Sequence, residues 1–454
     1  MSRLPFRTKL AYGVGDLGGN LYFTIMGTFL FSFCTEVLGL DPAYVGVALA
    51  VGRVVDAVTD PAVGILSDRI DTRFGHRKPF MFAGAMLILP LMLAMFSTPG
   101  IDSAIGLTIW VAVVYSLMNT AYTLQNVPYS ALVPELTTDF HERTNINGYR
   151  NIFAVLGTLT AFGGVTTMTA GNAPSAWFLM AGVMGLAMMV TFLVPTLFVP
   201  KTHKVSIVKQ ERGVFRDYLS TFGMKEFMLV ALPWMFHLTG ITIILQNVPY
   251  FFTYVIGRPE SQVLALASLL LGAIISIPVW VVISRHIGKK RTYNAGMAIF
   301  AASIVLFYFL GHRLGMGYIV TAMAIAGLGF GAQYVMPYSI LADVIEADYE
   351  RGGRRREGVF MGQFTFVSKV GQALAALVTG IVLRIVGFQQ PRVAGDILTQ
   401  TGEALSGIRA LLGPIAALFF VAGIVVLSFY PITEQVYQEI RKRIDKREAG
   451  IQEE

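Results

Sequence analysis

Residues 52–64 read GRVVDAVTDPAVG and place Arg53, Asp56 and Asp60 inside an otherwise apolar run. On a helix the three project from one stripe, because Arg53 is three residues before Asp56 and Asp60 is four after it. Two carboxylates a turn apart repel unless one takes a proton or a cation sits between them, and either event couples their titrations. A hard cation such as Na+ suits carboxylate and hydroxyl oxygens, and Thr59 and Thr123 offer hydroxyls that complete such a set. Arg53 offsets one carboxylate. One negative charge is left over, which favours a cation or proton site over a static ion pair.

The elements that must carry this stripe follow from composition. The chain has 454 residues, 54% of them hydrophobic and 14% charged, with a mean hydropathy of +0.62. Soluble domains carry roughly 25% charged residues, so a bilayer explains the deficit. Apolar windows of about 20 residues, enough to span about 30 Å of hydrocarbon, recur about twelve times, and the ionic stripe lies in the second. An aspartate at that depth costs about 2.5–3.5 kcal/mol on insertion scales, which makes it a functional signal by default. MSRLPFRTKLAYGVGD lacks the short apolar core and small-residue cleavage site of a signal peptide, so the first helix is expected to stay. The single cysteine, Cys34, leaves no partner for an intramolecular disulfide.

The net charge of +7 raises the question of nucleic acid, and the distribution of charge answers it. Assigned alternately to two sides, the loops put 28 of the 35 Lys and Arg on the side of both termini and only 4 on the other. That asymmetry is the positive-inside pattern: both termini are expected in the cytoplasm of an inner or plasma membrane protein, and nucleic acid is not an expected partner.

Internal repetition sets the architecture. PYSAL at Pro128–Leu132 returns as PYSIL at Pro337–Leu341, and the basic loop with Gly75, Arg77 and Lys78 returns as GKKR at Gly288–Arg291. The offsets, 209 and 213 residues, imply two six-helix halves. The expectation is an all-α membrane protein of about twelve transmembrane helices in two pseudo-symmetric bundles, 1–199 and 226–454, joined by a cytoplasmic linker over 200–225. Within 201–225, basic residues mix with Val205, Ile207, Val208, Val214 and Phe215, which fits a short helix lying in the interface.

Parallel halves with a site between them are the logic of alternating access. YGVGDLGGN, RVVDAVTDP, GILSDRIDTRFGHRKP, YTLQNVPYSALVPEL and SKVGQALAALVTG make the chain resemble the glycoside-pentoside-hexuronide:cation symporters, the melibiose-carrier branch of the major facilitator superfamily. The resemblance implies a cation site built from Asp56, Thr59, Asp60 and Thr123, with Na+ or H+ as the coupling ion and no cofactor. It also implies that Lys369, the only lysine in an apolar window, lies near that site and links the halves. Paired with the aspartates when the ion is absent and released when it binds, Lys369 would act with Arg53 in coupling. Best-studied members have asparagine at the position of Thr59, which leaves Na+ and H+ both open.

On the substrate side the resemblance makes Arg150 a contact for sugar hydroxyls. Tyr122 and Tyr129 offer hydroxyls and ring faces, and Tyr12, Asn20 and Gln125 are further candidates. The two sugar-binding aspartates of melibiose-type carriers fall at Asn20 and Asn126, and their stacking tryptophan falls at Ser130. Without the charge-assisted bonds or the indole platform, galactosides are not expected. Another glycoside, a pentose or a uronate fits, and so does a lysolipid, because lysolipid transporters share the DAVTDP pattern. The loop Gly64–Pro79 resembles the superfamily's cytoplasmic loop between helices two and three, and its Asp68, Arg69, Arg73 and Arg77 are expected to act as a cytoplasmic gate. Arg354, Arg355 and Arg356 are candidates for meeting anionic lipid headgroups.

Six histidines are scattered singly, with no HExxH, nucleophile elbow or phosphate loop, so an enzyme is not expected. A transport-inactive sensor on the same fold is the remaining rival. The expected protein is a monomeric, cation-coupled symporter of a small polar solute.

Overall fold

In hydrocarbon a segment must satisfy its own backbone polar groups, and a helix does so within one stretch of chain. The computed structural model describes residues 4–70, 72–137, 139–200, 220–311, 314–352, 356–391 and 398–452, and among them every regular element is helical. In chain order these are α1 Phe6–Val37, α2 Pro42–Arg69, α3 Lys78–Met95, α4 Ala104–Ser130, α5 Phe140–Met168 and α6 Pro174–Phe198. They continue with α7 Lys225–Val255, α8 Ser261–Ile287, α9 Lys289–Leu310, α10 Gly315–Gly352, α11 Glu357–Ile385, α12 Gly402–Ser428 and the polar α13 Glu434–Gln452. Among the described residues eleven helices, α1 and α3 to α12, are long and apolar enough to cross a membrane, and α2, which carries the ionic stripe, completes the twelve.

The chain forms two compact units. Unit 1 holds α1 to α6 together with Leu245–Val263 and Ala373–Ile408; unit 2 holds the chain up to Ile244 from the start of α7, then Leu264–Gln372 and Arg409 onward. Residues 201–219, on which most of the expected interface helix falls, lie outside the described residues.

In unit 1, α2 and α3 pack on α4, α5 and α6 pack on α1, and α3 also meets α6. The start of α2 is set by Asp41, whose side chain accepts from the Ala43 amide at 2.8 Å, and by Pro42 at the first helical position. Along α2 the valines at 47, 51, 54 and 58 are exposed on one stripe, whereas Arg53 and Asp56 on the opposite side are buried. The apolar stripe is the face for lipid, and the ions face protein.

Small residues let the helices approach. A Cβ on Gly84 of α3 would stand 2.5 Å from the Ala121 carbonyl oxygen of α4, too close for any side chain without backbone movement. Gly84→Ala is expected to cost about 1–3 kcal/mol of stability by overpacking, read as a lowered melting temperature of the purified protein.

In unit 2, α9 packs on α10 and α12. The polar α13 belongs to this core: Ile440 and Ile444 are buried with Val344, Ala347 and Phe360. Arg443 pairs with Glu350 at 2.8 Å, and Arg447 donates to the Tyr349 and Glu350 carbonyls at 3.1 Å, satisfying groups at the C-terminal end of α10.

Candidate functional site

The stripe on α2 meets α4 at Thr123. Thr123 Oγ1 stands 3.0 Å from Asp56 Oδ1 and 2.8 Å from Asp60 Oδ1. A hydroxyl has one proton, so it donates to one of these carboxylates at a time, and the second contact sets oxygen against oxygen. A proton or a cation joining the oxygens would relieve that contact. Arg53 Nη1 lies 3.7 Å from Asp56 Oδ2, a long contact, and its guanidinium also packs over the Tyr115 and Phe23 rings at 5.5 and 5.9 Å. Two carboxylates, one hydroxyl and one guanidinium therefore lie together where α2 meets α4. Pro61, directly after Asp60, withdraws an amide from α2 and frees the Ala57 carbonyl one turn back.

Thr59 is placed differently from the other three. Its hydroxyl donates to the Asp56 backbone carbonyl at 3.2 Å, a local helix bond, while Thr123 from α4 supplies the bridging oxygen. The reason is rotation: Thr59 is one residue before Asp60 and so turns about 100° from the stripe.

The residues expected on the substrate face converge on one that the motif reading passed over. Asp16 of α1 receives Arg150 of α5 in a two-pronged pair, Nε to Oδ2 at 2.6 Å and Nη2 to Oδ1 at 3.2 Å. Tyr129 of α4 shares its hydroxyl between Asp16 Oδ2 at 2.5 Å and the Tyr12 carbonyl at 2.6 Å, and Tyr12 donates to the Tyr129 carbonyl at 2.7 Å. The two phenol rings stack at 4.4 Å beneath the guanidinium. Tyr12 and Tyr129 are buried with their hydroxyls engaged, whereas Asp16 and Arg150 keep partial exposure.

One turn along α1, half-buried Asn20 donates to the Asp16 carbonyl at 2.8 Å. Tyr122 stacks on Tyr22 at 4.2 Å, and Asn126 is half-buried. Gln125 turns away from this group. It is buried beside Gly84 of α3, with no hydrogen-bond partner for its Oε1 among the described residues.

In the basic loop after α2, Arg77 pairs with Glu135 at 2.6 Å, and His76 Nε2 stands 3.2 Å from the same carboxylate. Glu135 lies on the one-turn helix Val133–Leu136 that follows α4. Arg73 is exposed over Phe74, and the side chains of Asp68 and Arg69 lie outside the described residues. Unit 2 repeats the device: Lys289, the first residue of α9, reaches Asp343 at 2.6 Å, joining the start of α9 to α10. Arg356 pairs with Asp348, while Arg354 and Arg355 lie outside the described residues.

Lys369 belongs to unit 2, half-buried on α11. Beside it in sequence, Ser368 accepts from Trp234 Nε1 at 2.7 Å. The Trp234 ring stacks on Phe364 at 5.4 Å and meets Tyr338 edge-on at 5.8 Å. This aromatic group on α7, α10 and α11 has no counterpart among the residues singled out from sequence. Scattered aromatics in apolar helices carry no signal that separates packing from contact.

Comparison with known proteins fits this architecture. The chain is 27% identical to the putative glycoside/cation symporter YagG of Escherichia coli K12, over 99% of this chain and 97% of that one. It is 25% identical to the glucuronide carrier protein homolog of the same organism, over 99% and 98%. To the isoprimeverose transporter of Lactiplantibacillus pentosus it is 25% identical, over 94% and 89%. Among solved structures, a mutant of the nucleoside transporter NupG superposes with a TM-score of 0.70 at 13% identity, covering 93% of this chain and 98% of that one, which speaks to the fold alone. Residues 11–434 match the MFS/sugar transport protein model, and the chain belongs to that family.

Proposed function

We propose that the protein is a cation-coupled symporter that carries a small polar solute, a sugar, glycoside or uronate, by alternating access. The observation that carries the coupling is the single Thr123 hydroxyl held between the Asp56 and Asp60 carboxylates. The coupling ion, Na+ or H+, binds at the oxygens that Asp56, Asp60 and Thr123 bring together there. The relatives named as glycoside, glucuronide and isoprimeverose carriers support a carbohydrate-like solute. Arg150 presents its donors to that solute, with Tyr122, Asn20 and Asn126 on the same faces of α4 and α1.

Asp16 orients Arg150, because a forked pair fixes the guanidinium plane. Lys369 acts as the coupling lysine of the second half. The distribution of Lys and Arg supports both termini in the cytoplasm of an inner or plasma membrane. The protein works as a monomer and as a carrier, without catalysis.

Thermal stability of the purified protein across sugars, uronates and lysolipids, each with Na+ or K+, tests this reading. A ligand that binds only the folded state raises stability by mass action. A sugar or uronate that stabilises more in Na+ than in K+, or whose effect follows pH instead, supports the reading. Stabilisation by lysolipids alone moves the solute to lipid.

A further inference from the structure

The C-terminal ends of α1 and α7 carry the same pattern: FCTEVLG at Phe33–Gly39 and FFTYVIG at Phe251–Gly257. Both are wound as π-turns, Phe33–Val37 and Phe251–Val255, and both close on a glycine with positive φ, Gly39 at 67° and Gly257 at 71°. Single π-turns within α-helices are frequent at functional sites. Both ends belong to unit 1, where they meet: the Thr35 and Tyr250 hydroxyls stand 2.5 Å apart, and the Tyr254 phenol, at the position equivalent to Glu36, neighbours the Glu36 carboxyl.

Glu36 is only 7% exposed. Its Oε2 accepts from the Asn172 amide at 3.4 Å, and Trp177 Nε1 donates to Asn172 Oδ1 at 2.7 Å, which turns the Asn172 NH2 toward the carboxyl. Asn172 holds a left-handed backbone, φ 57°, in the turn between α5 and α6. Tyr254 also meets Gln400, which is clamped to the Gln389 backbone by bonds of 3.0 and 2.9 Å. Glu36 Oε1 has no hydrogen-bond partner among the described residues.

The groups facing this carboxyl are therefore Tyr254 and Tyr250 from α7 and Asn172 from the α5–α6 turn, with Cys34 on its own helix beside Tyr250. All are neutral. The charged groups described in the connections at this end are Asp41, Asp102, Arg258, Glu260, Arg384 and Glu403; none of them hydrogen-bonds Glu36, and Asp41 and Arg384 lie 3.5 Å apart and pair with each other. A carboxylate buried among neutral donors with one oxygen unsatisfied is costly, and a proton removes that cost.

We propose that Glu36 is a proton-binding site, separate from the Asp56 and Asp60 pair, that seals the non-cytoplasmic end of unit 1. Glu36 holds its proton while the ends of α1 and α7 are packed. When they part, it meets water and releases the proton to that side. The orientation rests on the charge distribution used under the proposed function; the proton site does not. Acid on the outer side then favours the packed ends, because closure takes up a proton.

Infrared spectroscopy of the purified protein tests the proton directly, in an Asp56→Asn, Asp60→Asn background that removes the other site's carboxyls. A protonated-carboxyl C=O band is expected that bleaches as the pH is raised over an acid-to-alkaline range and is absent in Glu36→Gln. Should that variant fail to fold, Glu36→Asp is expected to shift the same band. A carboxyl region unchanged by either substitution throughout the range overturns the proposal.

Alkylation of Cys34, which is fully buried, reads the seal. Glutamine mimics the protonated state, so Glu36→Gln is expected to slow alkylation on the order of tenfold at about pH 8. Equal rates in wild type and variant at every pH overturn the link to closure. Because these readouts need neither solute nor coupling ion, their failure leaves the symport reading standing, and failure of symport leaves them intact.

Discussion

Asp60→Ala and Asp56→Ala are each expected to abolish the response to the coupling cation while leaving a folded protein. The reason is charge. Each substitution removes one of the two carboxylates that the Thr123 hydroxyl joins, and with it a negative charge. A cation entering beside the Arg53 guanidinium then gains less attraction and loses one of its hard oxygen ligands. Affinity is expected to fall by at least about a hundredfold, the equivalent of about 2.7 kcal/mol. Folding survives because each substitution removes a charged group whose insertion costs about 2.5–3.5 kcal/mol.

Asp60→Asn separates charge from shape, since the amide keeps a hydrogen bond to Thr123 and loses the cation. Thr123→Val leaves both charges and removes the bridging hydroxyl, and a smaller loss of about tenfold is expected. Cation titration of the melting temperature and cation-stimulated uptake in vesicles read all four variants. Full cation response in both alanine variants would sink the cation site.

The parts of the molecule legible in sequence are those where physics permits few alternatives. A membrane helix needs about 20 apolar residues, so the twelve helices stand out as windows, and α2 is recognisable despite its charges because its valines keep one apolar face. Spacing of three and four residues places Arg53, Asp56 and Asp60 on one stripe of any helix. That Thr123 meets them is a tertiary fact, reached from sequence by its hydroxyl chemistry and by resemblance. Thr59 shows the limit of adjacency: next to Asp60 in sequence, its hydroxyl is spent on its own helix.

Asp16 had a readable signal. It stands in the quoted YGVGDLGGN, just before the first apolar window and four residues from both Tyr12 and Asn20, so helical spacing puts it on one stripe with them. Glu135, at the end of the quoted YTLQNVPYSALVPEL, had a weaker one, because a loop carboxylate is ordinary until its partners are known. The π-turns of α1 and α7 are invisible to periodicity. Their shared FxTxVxG pattern becomes meaningful only once both are seen wound alike.

Arg150→Ala is expected to abolish stabilisation by the solute while sparing the cation response, and Asp16 decides how that result is read. The forked Arg150–Asp16 pair is partly buried, with side chains 24% and 17% exposed. Breaking a fully buried pair from one side costs about 3–5 kcal/mol because an unmatched charge remains; partial access to water lowers the expectation here to about 2–3 kcal/mol. Asp16→Ala and Arg150→Ala are therefore each expected to lower the melting temperature. The double variant is expected to be more stable than their sum implies, by about 1–3 kcal/mol, because neither charge is left alone.

Arg150→Lys retains the charge but not the fork, so it keeps much of the stability and loses solute. If lysine restores the solute response as well, Arg150 acts by charge alone and a uronate is favoured over a neutral glycoside. If the double variant still responds to solute, the pair is a structural latch between α1 and α5 and recognition lies elsewhere on the same faces, at Tyr122, Asn20 and Asn126. The cycle thus separates the latch from the ligand contact, which the geometry of the pair alone leaves combined in one guanidinium.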